Sequence, residues 1–245
     1  MEEAVSFLSQ GKKLEANLYI PYEGAPTIIM SHGMESSKEG KKWPLFCSRL
    51  CEAGFATLRF SYRDCIKSGL NLAEATLTAR VEDLKAAMDF LEEKGVNTER
   101  LGAIGSSFGG RTLLAARDRR IKAMVLLATP SYLSMPSFMP PEIEQKGGFE
   151  LGSGAKLGLS FFEDLKKYNT LRDLEKINCP ILVIHGSADI IVPLKEAEEI
   201  YRAAKGPKRI EVIRGASHTL DDRPEYGEQL VNLCQEWFKT YLGDL

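Results

Sequence analysis

Cysteine is sparse in this chain and odd in number: Cys47, Cys51, Cys65, Cys179 and Cys234, with no CxxC spacing among them. That pattern argues against a disulfide framework and against a zinc cluster, and leaves free thiols as the simple reading. Cys47 and Cys51 stand one helical turn apart, but no group of histidines accompanies them, so no metal centre is expected. Histidine itself occurs only three times in 245 residues. Nowhere do eighteen apolar residues run together, which argues against a membrane-spanning helix. The opening Met1-Glu2-Glu3-Ala4-Val5 is acidic and has neither the basic segment nor the apolar stretch of a signal peptide, so a cytoplasmic, soluble protein is the expectation. A surplus of one charge is also missing. The 32 Lys and Arg nearly balance 34 Asp and Glu, leaving a formal charge of −2 and no field that would draw the whole chain onto nucleic acid. A neutral or mixed small molecule is the default partner, and a monomer or homodimer the expected state.

What the chain does contain is a 44% hydrophobic content arranged in short runs that alternate with longer amphipathic ones. This is the pattern of a mostly parallel sheet covered by helices on both faces, and its length suits a single α/β domain over residues 1–245. Residues 4–9 and 13–20 alternate about Gln10-Gly11-Lys12 and predict an opening antiparallel hairpin. Further strands are predicted at Thr27 to Met30, Ala56 to Phe60, Leu101 to Ile104, Ile121 to Ala128, Ile181 to His185 and Arg209 to Ile213. Leu77, Val81, Leu84, Met88 and Leu91 recur at helical spacing, with Gly95 as the stop. The last helix carries Leu230, Leu233, Cys234, Trp237, Phe238 and Tyr241 on one predicted core face. Between Thr129-Pro130 and Cys179-Pro180 the alternation fails for longer than an ordinary connection, which predicts an insertion, rich in Pro and Gly at first and helical near Phe161 to Lys167.

Gly105-Ser106-Ser107-Phe108-Gly109 matches GxSxG between a predicted strand and a predicted helix, the context of a nucleophile elbow that lifts its serine clear of the sheet. A structural glycine turn, with Ser107 as a helix cap, is the competing reading. A serine hydroxyl is a weak nucleophile at neutral pH and needs a neutral imidazole that is itself held in one tautomer. His218, in Gly215-Ala216-Ser217-His218, lies on a loop after a strand. His185 lies within an apolar run and reads as a buried structural histidine. Asp189 closes the turn after that run and is the candidate acid, although an Asx turn before Pro193 competes. Asp221 and Asp222 are rivals that read more simply as the opening of the final helix. The chain order Ser107, Asp189, His218 is the nucleophile, acid, base order of one fold and differs from the orders of chymotrypsin and subtilisin. Two N–H donors for an oxyanion are then required; Phe108, after the nucleophile, and Met34, in Ser31-His32-Gly33-Met34, are the candidates. His32 is expected to support that turn.

With these motifs assembled, the sequence resembles the α/β-hydrolase superfamily over nearly its whole length. Within it, the chain looks like small cytosolic esterases of the cinnamoyl and feruloyl esterase, monoacylglycerol lipase and serine aminopeptidase-like kinds. The resemblance implies that the insertion, residues 131–168, forms a cap over the site. Tyr132, Phe138, Phe161 and Phe162 would then line an apolar pocket, or simply pack the cap on the sheet. One departure touches substrate choice: where many relatives carry a Gly-His-Gly turn after the fourth strand, this chain reads Tyr62-Arg63-Asp64-Cys65. The implied activity is acyl transfer from a small to medium ester to water, with no cofactor. A thioesterase, an amide-cleaving hydrolase, or a non-catalytic small-molecule binder on the same fold are the alternatives. A dinucleotide-binding oxidoreductase is disfavoured, because Gly105 to Gly110 lacks GxGxxG spacing.

Overall fold

The computed structural model describes residues 2–66, 69–70, 75–131, 147–151, 154 and 156–243. The chain opens with β1 (Glu3–Ser9) and β2 (Lys12–Tyr19), then β3 (Thr27–Ser31), α1 (Lys42–Glu52) and β4 (Ala56–Phe60). A two-strand ribbon, β5 (Cys65–Ile66) and β6 (Gly69–Leu70), precedes α2 (Leu77–Glu93), β7 (Leu101–Ser106), α3 (Phe108–Ala116) and β8 (Ile121–Leu127). A second ribbon, β9 (Gly148–Glu150) and β10 (Lys156–Gly158), leads to α4 (Leu159–Leu165) and α5 (Thr170–Leu174). Then follow β11 (Ile181–Gly186), α6 (Leu194–Ala203), β12 (Lys208–Ile213) and α7 (Pro224–Leu242). No helix among the described residues is long and apolar enough to cross a membrane.

The eight long strands form one sheet in the order β1-β2-β4-β3-β7-β8-β11-β12. The first three neighbours pair antiparallel and all the rest parallel. Because side chains alternate across a strand, each central strand feeds two cores. Ile28, Met30, Ile104, Val125, Leu127, Leu182 and Ile184 pack with α1 and α7 on one face. Ile29, Ala103, Met124, Leu126, Ile181 and Val183 pack with α2, α3 and α6 on the other. A strand buried on both faces reads as an unbroken apolar run, which is why these strands were legible.

Helix α2 begins where Thr76 accepts the Ala79 N–H at 3.0 Å and ends at Gly95, whose φ of 68° closes a Schellman-type turn with Val96 N–H on Leu91 O at 3.0 Å. The hairpin turns at Gln10 and Gly11 as expected, one residue longer at its start than the alternation indicated. In α7 the buried face is Leu230, Val231, Cys234, Trp237, Phe238 and Leu242; Leu233 is only partly buried, and Tyr241 lies at the rim with its ring 4.6 Å from that of Trp237. Within residues 131–168 the alternation missed the β9–β10 ribbon, whose strands are too short to show a period.

Candidate active site

Ser107, Asp189, His218 and Met34 all follow the C-terminal ends of parallel strands, β7, β11, β12 and β3 respectively, where open α/β sheets place their ligands. Ser107 has φ 53° and ψ −121°, a turn that reverses the chain between β7 and α3. The reversal requires glycine on both sides. A Cβ at Gly105 would lie 2.4 Å from Gly110 Cα, and one at Gly109 2.1 Å from the Ser31 carbonyl oxygen. The Ser107 N–H is anchored on Leu127 O at 2.7 Å, while its side chain remains only partly buried.

The hydroxyl of Ser107 lies 2.9 Å from His218 Nε2, and His218 Nδ1 lies 2.8 Å from Asp189 Oδ2. A carboxylate only accepts, so Nδ1 carries the imidazole proton and Nε2 is left to accept from the serine. The other Asp189 oxygen accepts the Ile191 and Val192 N–H groups, both at 2.9 Å, in the Asx turn that sequence offered as the competing reading. The two readings are compatible, since the turn occupies one oxygen and the imidazole the other. His185 is fully buried, and its Nε2 stands 2.8 Å from Val192 O and 3.2 Å from Asp189 Oδ2. Burial alone would raise the Asp189 carboxyl. Hydrogen bonds from His185, His218 and the Val192 amide outweigh it and hold the group well below the usual carboxylate range.

Asp222 does not open the last helix; Arg223 is its cap residue. Asp222 instead accepts the Ser217 N–H at 2.7 Å and the Thr219 hydroxyl at 2.9 Å, bracing the turn that presents His218. Gly186, at the end of β11, lets this loop approach: a Cβ there would lie 2.2 Å from Ala216 O. A lysine that sequence did not single out joins the two sides. Lys42 Nζ donates to Ser106 Oγ at 3.1 Å and to Thr219 O at 2.6 Å, so it spans the residue before Ser107 and the residue after His218. Burial, against the pull of Asp221 and Asp222, lowers its ammonium to about 8.

Phe108 is the first residue of α3, so its N–H is among the first-turn donors that have no intrahelical acceptor. Met34, Gly33, Ser107, His218, Lys42 and Trp43 line a cleft of about 430 Å³, with Asp221 and Asp222 at its edge. A larger groove of about 910 Å³ follows β1, β2 and the Lys38 turn but contains none of these groups. Phe161 and Phe162 are buried and absent from the cleft wall; Phe161 packs against Phe108 with ring centres 5.6 Å apart. Tyr132 and Phe138 lie outside the described residues.

His32 braces the turn as expected. Tyr62 N–H donates to its Nε2 at 3.1 Å, so Nδ1 carries the proton and bonds Gly33 O at 2.7 Å. Burial first, and the charge of Arg80 second, push His32 down to about 3. An unfolded chain protonates this imidazole near 6.5 and the folded chain near 3, so stability is intact above pH 6.5 and falls as pH drops through that window. At pH 4.5 the expected loss is about 3 kcal/mol. Unfolding free energies from urea titrations at pH 7 and 4.5 should diverge less in His32→Asn than in the wild type by that amount; an equal divergence would assign the acid sensitivity elsewhere.

An eight-stranded, mostly parallel sheet with a strained serine elbow defines an α/β-hydrolase, and solved structures agree on the fold. Est1E from Butyrivibrio proteoclasticus, in a structure holding ferulic acid, superposes with a TM-score of 0.83 at 23% identity, over 98% of this chain and 100% of that one. A dienelactone hydrolase from Anabaena variabilis gives a TM-score of 0.73 at 22% identity, over 99% and 98%. Residues 70–245 match the prolyl oligopeptidase family, peptidase family S9, and the chain belongs to that family of serine hydrolases. It is 32% identical to the uncharacterized protein YfhR of Escherichia coli O157:H7, over 94% of this chain and 79% of that protein. It is 26% identical to the human acylamino-acid-releasing enzyme, over 89% of this chain but 32% of the enzyme.

Proposed function

We propose that this serine hydrolase cleaves carboxylic esters of small to medium acyl groups through a covalent acyl-enzyme. The observation that supports it is the continuous relay from Asp189 through His218 to Ser107, with both links under 3.0 Å. Ser107 Oγ attacks the ester carbonyl carbon as its proton passes to His218 Nε2. The Met34 and Phe108 N–H groups take up the negative charge on the carbonyl oxygen. Collapse expels the alcohol, which leaves with the proton held by His218. Water then adds to the acyl carbon by the same route and releases the acid, while Asp189 keeps His218 in the productive tautomer. In this reading residues 131–168 cap the site within a single domain.

Family membership favours a second reading, in which the scissile bond is an amide at an acylated or peptidyl residue, since the named relative releases acylamino acids. The same relay serves both, so the pocket decides. A fluorophosphonate should add one adduct, and peptide mapping should find it on Ser107; label elsewhere, or none, refutes the reading. Turnover of matched ester, thioester and aminoacyl-arylamide substrates should rank the ester first. A faster arylamide would move the assignment to the second reading.

A further inference from the structure

Peptide geometry couples one of the oxyanion donors to a charge buried behind it. The Gly33 carbonyl and the Met34 N–H belong to one planar trans peptide and point to opposite sides, so whatever fixes the carbonyl also aims the N–H. Two donors fix it from the protein interior: His32 Nδ1 at 2.7 Å and Arg80 Nη2 at 3.1 Å. The other terminal nitrogen of Arg80, Nη1, donates to the preceding carbonyl, His32 O, at 2.9 Å. One guanidinium therefore grips two successive carbonyls of the turn.

The guanidinium is in turn held on three sides. Asp64 receives Nε at 2.6 Å and Nη2 at 3.2 Å. The Tyr62 ring centre lies 4.3 Å from the guanidinium carbon and that of Phe108, the second donor residue, 5.1 Å. Tyr62 also places its hydroxyl 2.6 Å from Ser31 Oγ, and Ser31 donates to Gly109 O at 2.9 Å, so the same network reaches the elbow. Arg80 is 1% and Asp64 2% exposed. A planar fork can donate in these fixed directions at once, whereas an ammonium is a compact point charge with no such geometry.

We propose that Arg80, locked by Asp64, is a positioning residue that sets the direction of the Met34 N–H and thereby the affinity of the site for the tetrahedral transition state. This rests on the oxyanion assignment made above. A pair that served only the fold would change melting temperature and leave the kinetic constants of the surviving folded enzyme alone. A pair that aims a donor acts where charge develops, so kcat falls while KM holds.

Arg80→Lys keeps the charge and loses the fork. The double variant Asp64→Leu/Arg80→Met removes both buried charges together, an exchange that proteins often tolerate without loss of stability. For folded protein of either kind, kcat on an aryl ester should fall on the order of 10²-fold, with KM within roughly threefold. Affinity for a trifluoromethyl ketone, which forms a tetrahedral adduct, should weaken by the same factor as kcat/KM. A folded variant with wild-type kcat and wild-type ketone affinity overturns the proposal. So does the collapse of both variants into unfolded chain, because the pair would then be needed for the fold rather than for the turn. Failure of the wild-type protein to label at Ser107 would instead overturn the hydrolase site itself, and would be seen before any Arg80 variant is made.

Discussion

Ser107→Ala should lower kcat for a reactive ester on the order of 10⁶-fold, the scale at which loss of a nucleophile removes the covalent route altogether. The physical reason is that the base is aimed at this oxygen: His218 Nε2 faces the Ser107 hydroxyl at 2.9 Å. In the proposed mechanism what survives is the electrostatic part of the site, roughly 10³-fold over water, from the Met34 and Phe108 N–H groups and from binding. The exchange leaves the elbow backbone in place, since its reversal depends on Gly105 and Gly109 rather than on the hydroxyl. Melting should therefore move by no more than about 1 kcal/mol in stability. Steady-state assays of the purified variant beside circular dichroism melts decide the matter. A variant retaining a hundredth of the wild-type rate would show that another group attacks the substrate.

Asp189→Asn should cost on the order of 10⁴-fold in kcat with little change in KM. Asp189 Oδ2 accepts from His218 Nδ1, and Oδ1 accepts two backbone N–H groups. An asparagine that keeps its oxygen in the turn must offer its NH₂ to His218. That donor draws the imidazole into the tautomer with a protonated Nε2, which cannot accept the serine proton. The same NH₂ meets His185 Nε2, whose other neighbour, Val192 O, requires it to be a donor as well. Stability should fall along with activity, by about 1 to 3 kcal/mol for the broken buried contact. Activity within tenfold of wild type would remove Asp189 from the relay, and the candidate acid would have to be sought elsewhere.

Ser107, Asp189 and His218 were legible because each sits in a short local pattern just past a strand: β7 and β11 are buried on both faces, whereas β12, before His218, is a sheet-edge strand. Gly105 and Gly109 report a backbone reversal, and chain order separates the candidates without coordinates. The eight-strand order was not legible, because pairing partners such as β3 and β7 are separated by α1, β4 and α2. The Arg80 network escaped for a related reason. Its members, His32, Tyr62, Asp64 and Arg80, belong to three different elements and meet only after folding. One signal was available: Arg80 stands three residues after Leu77 and four before Leu84, on the apolar stripe of α2, where an unpaired guanidinium would be costly. Asp222 was assigned by a local rule for helix starts, and tertiary demand from the His218 loop overrode it. For Phe161 the resemblance left two uses open, pocket wall or packing, and its contact with the ring of Phe108 is the packing one.

Strands β3 and β7 are neighbours in register, with Ser31 opposite Gly105. The segments carrying Ser107 and Met34 therefore leave the sheet from adjoining strands, whose separation is the interstrand spacing of about 4.8 Å. Main-chain pairing, rather than any side chain, thus sets how far apart the ends of these two strands stand.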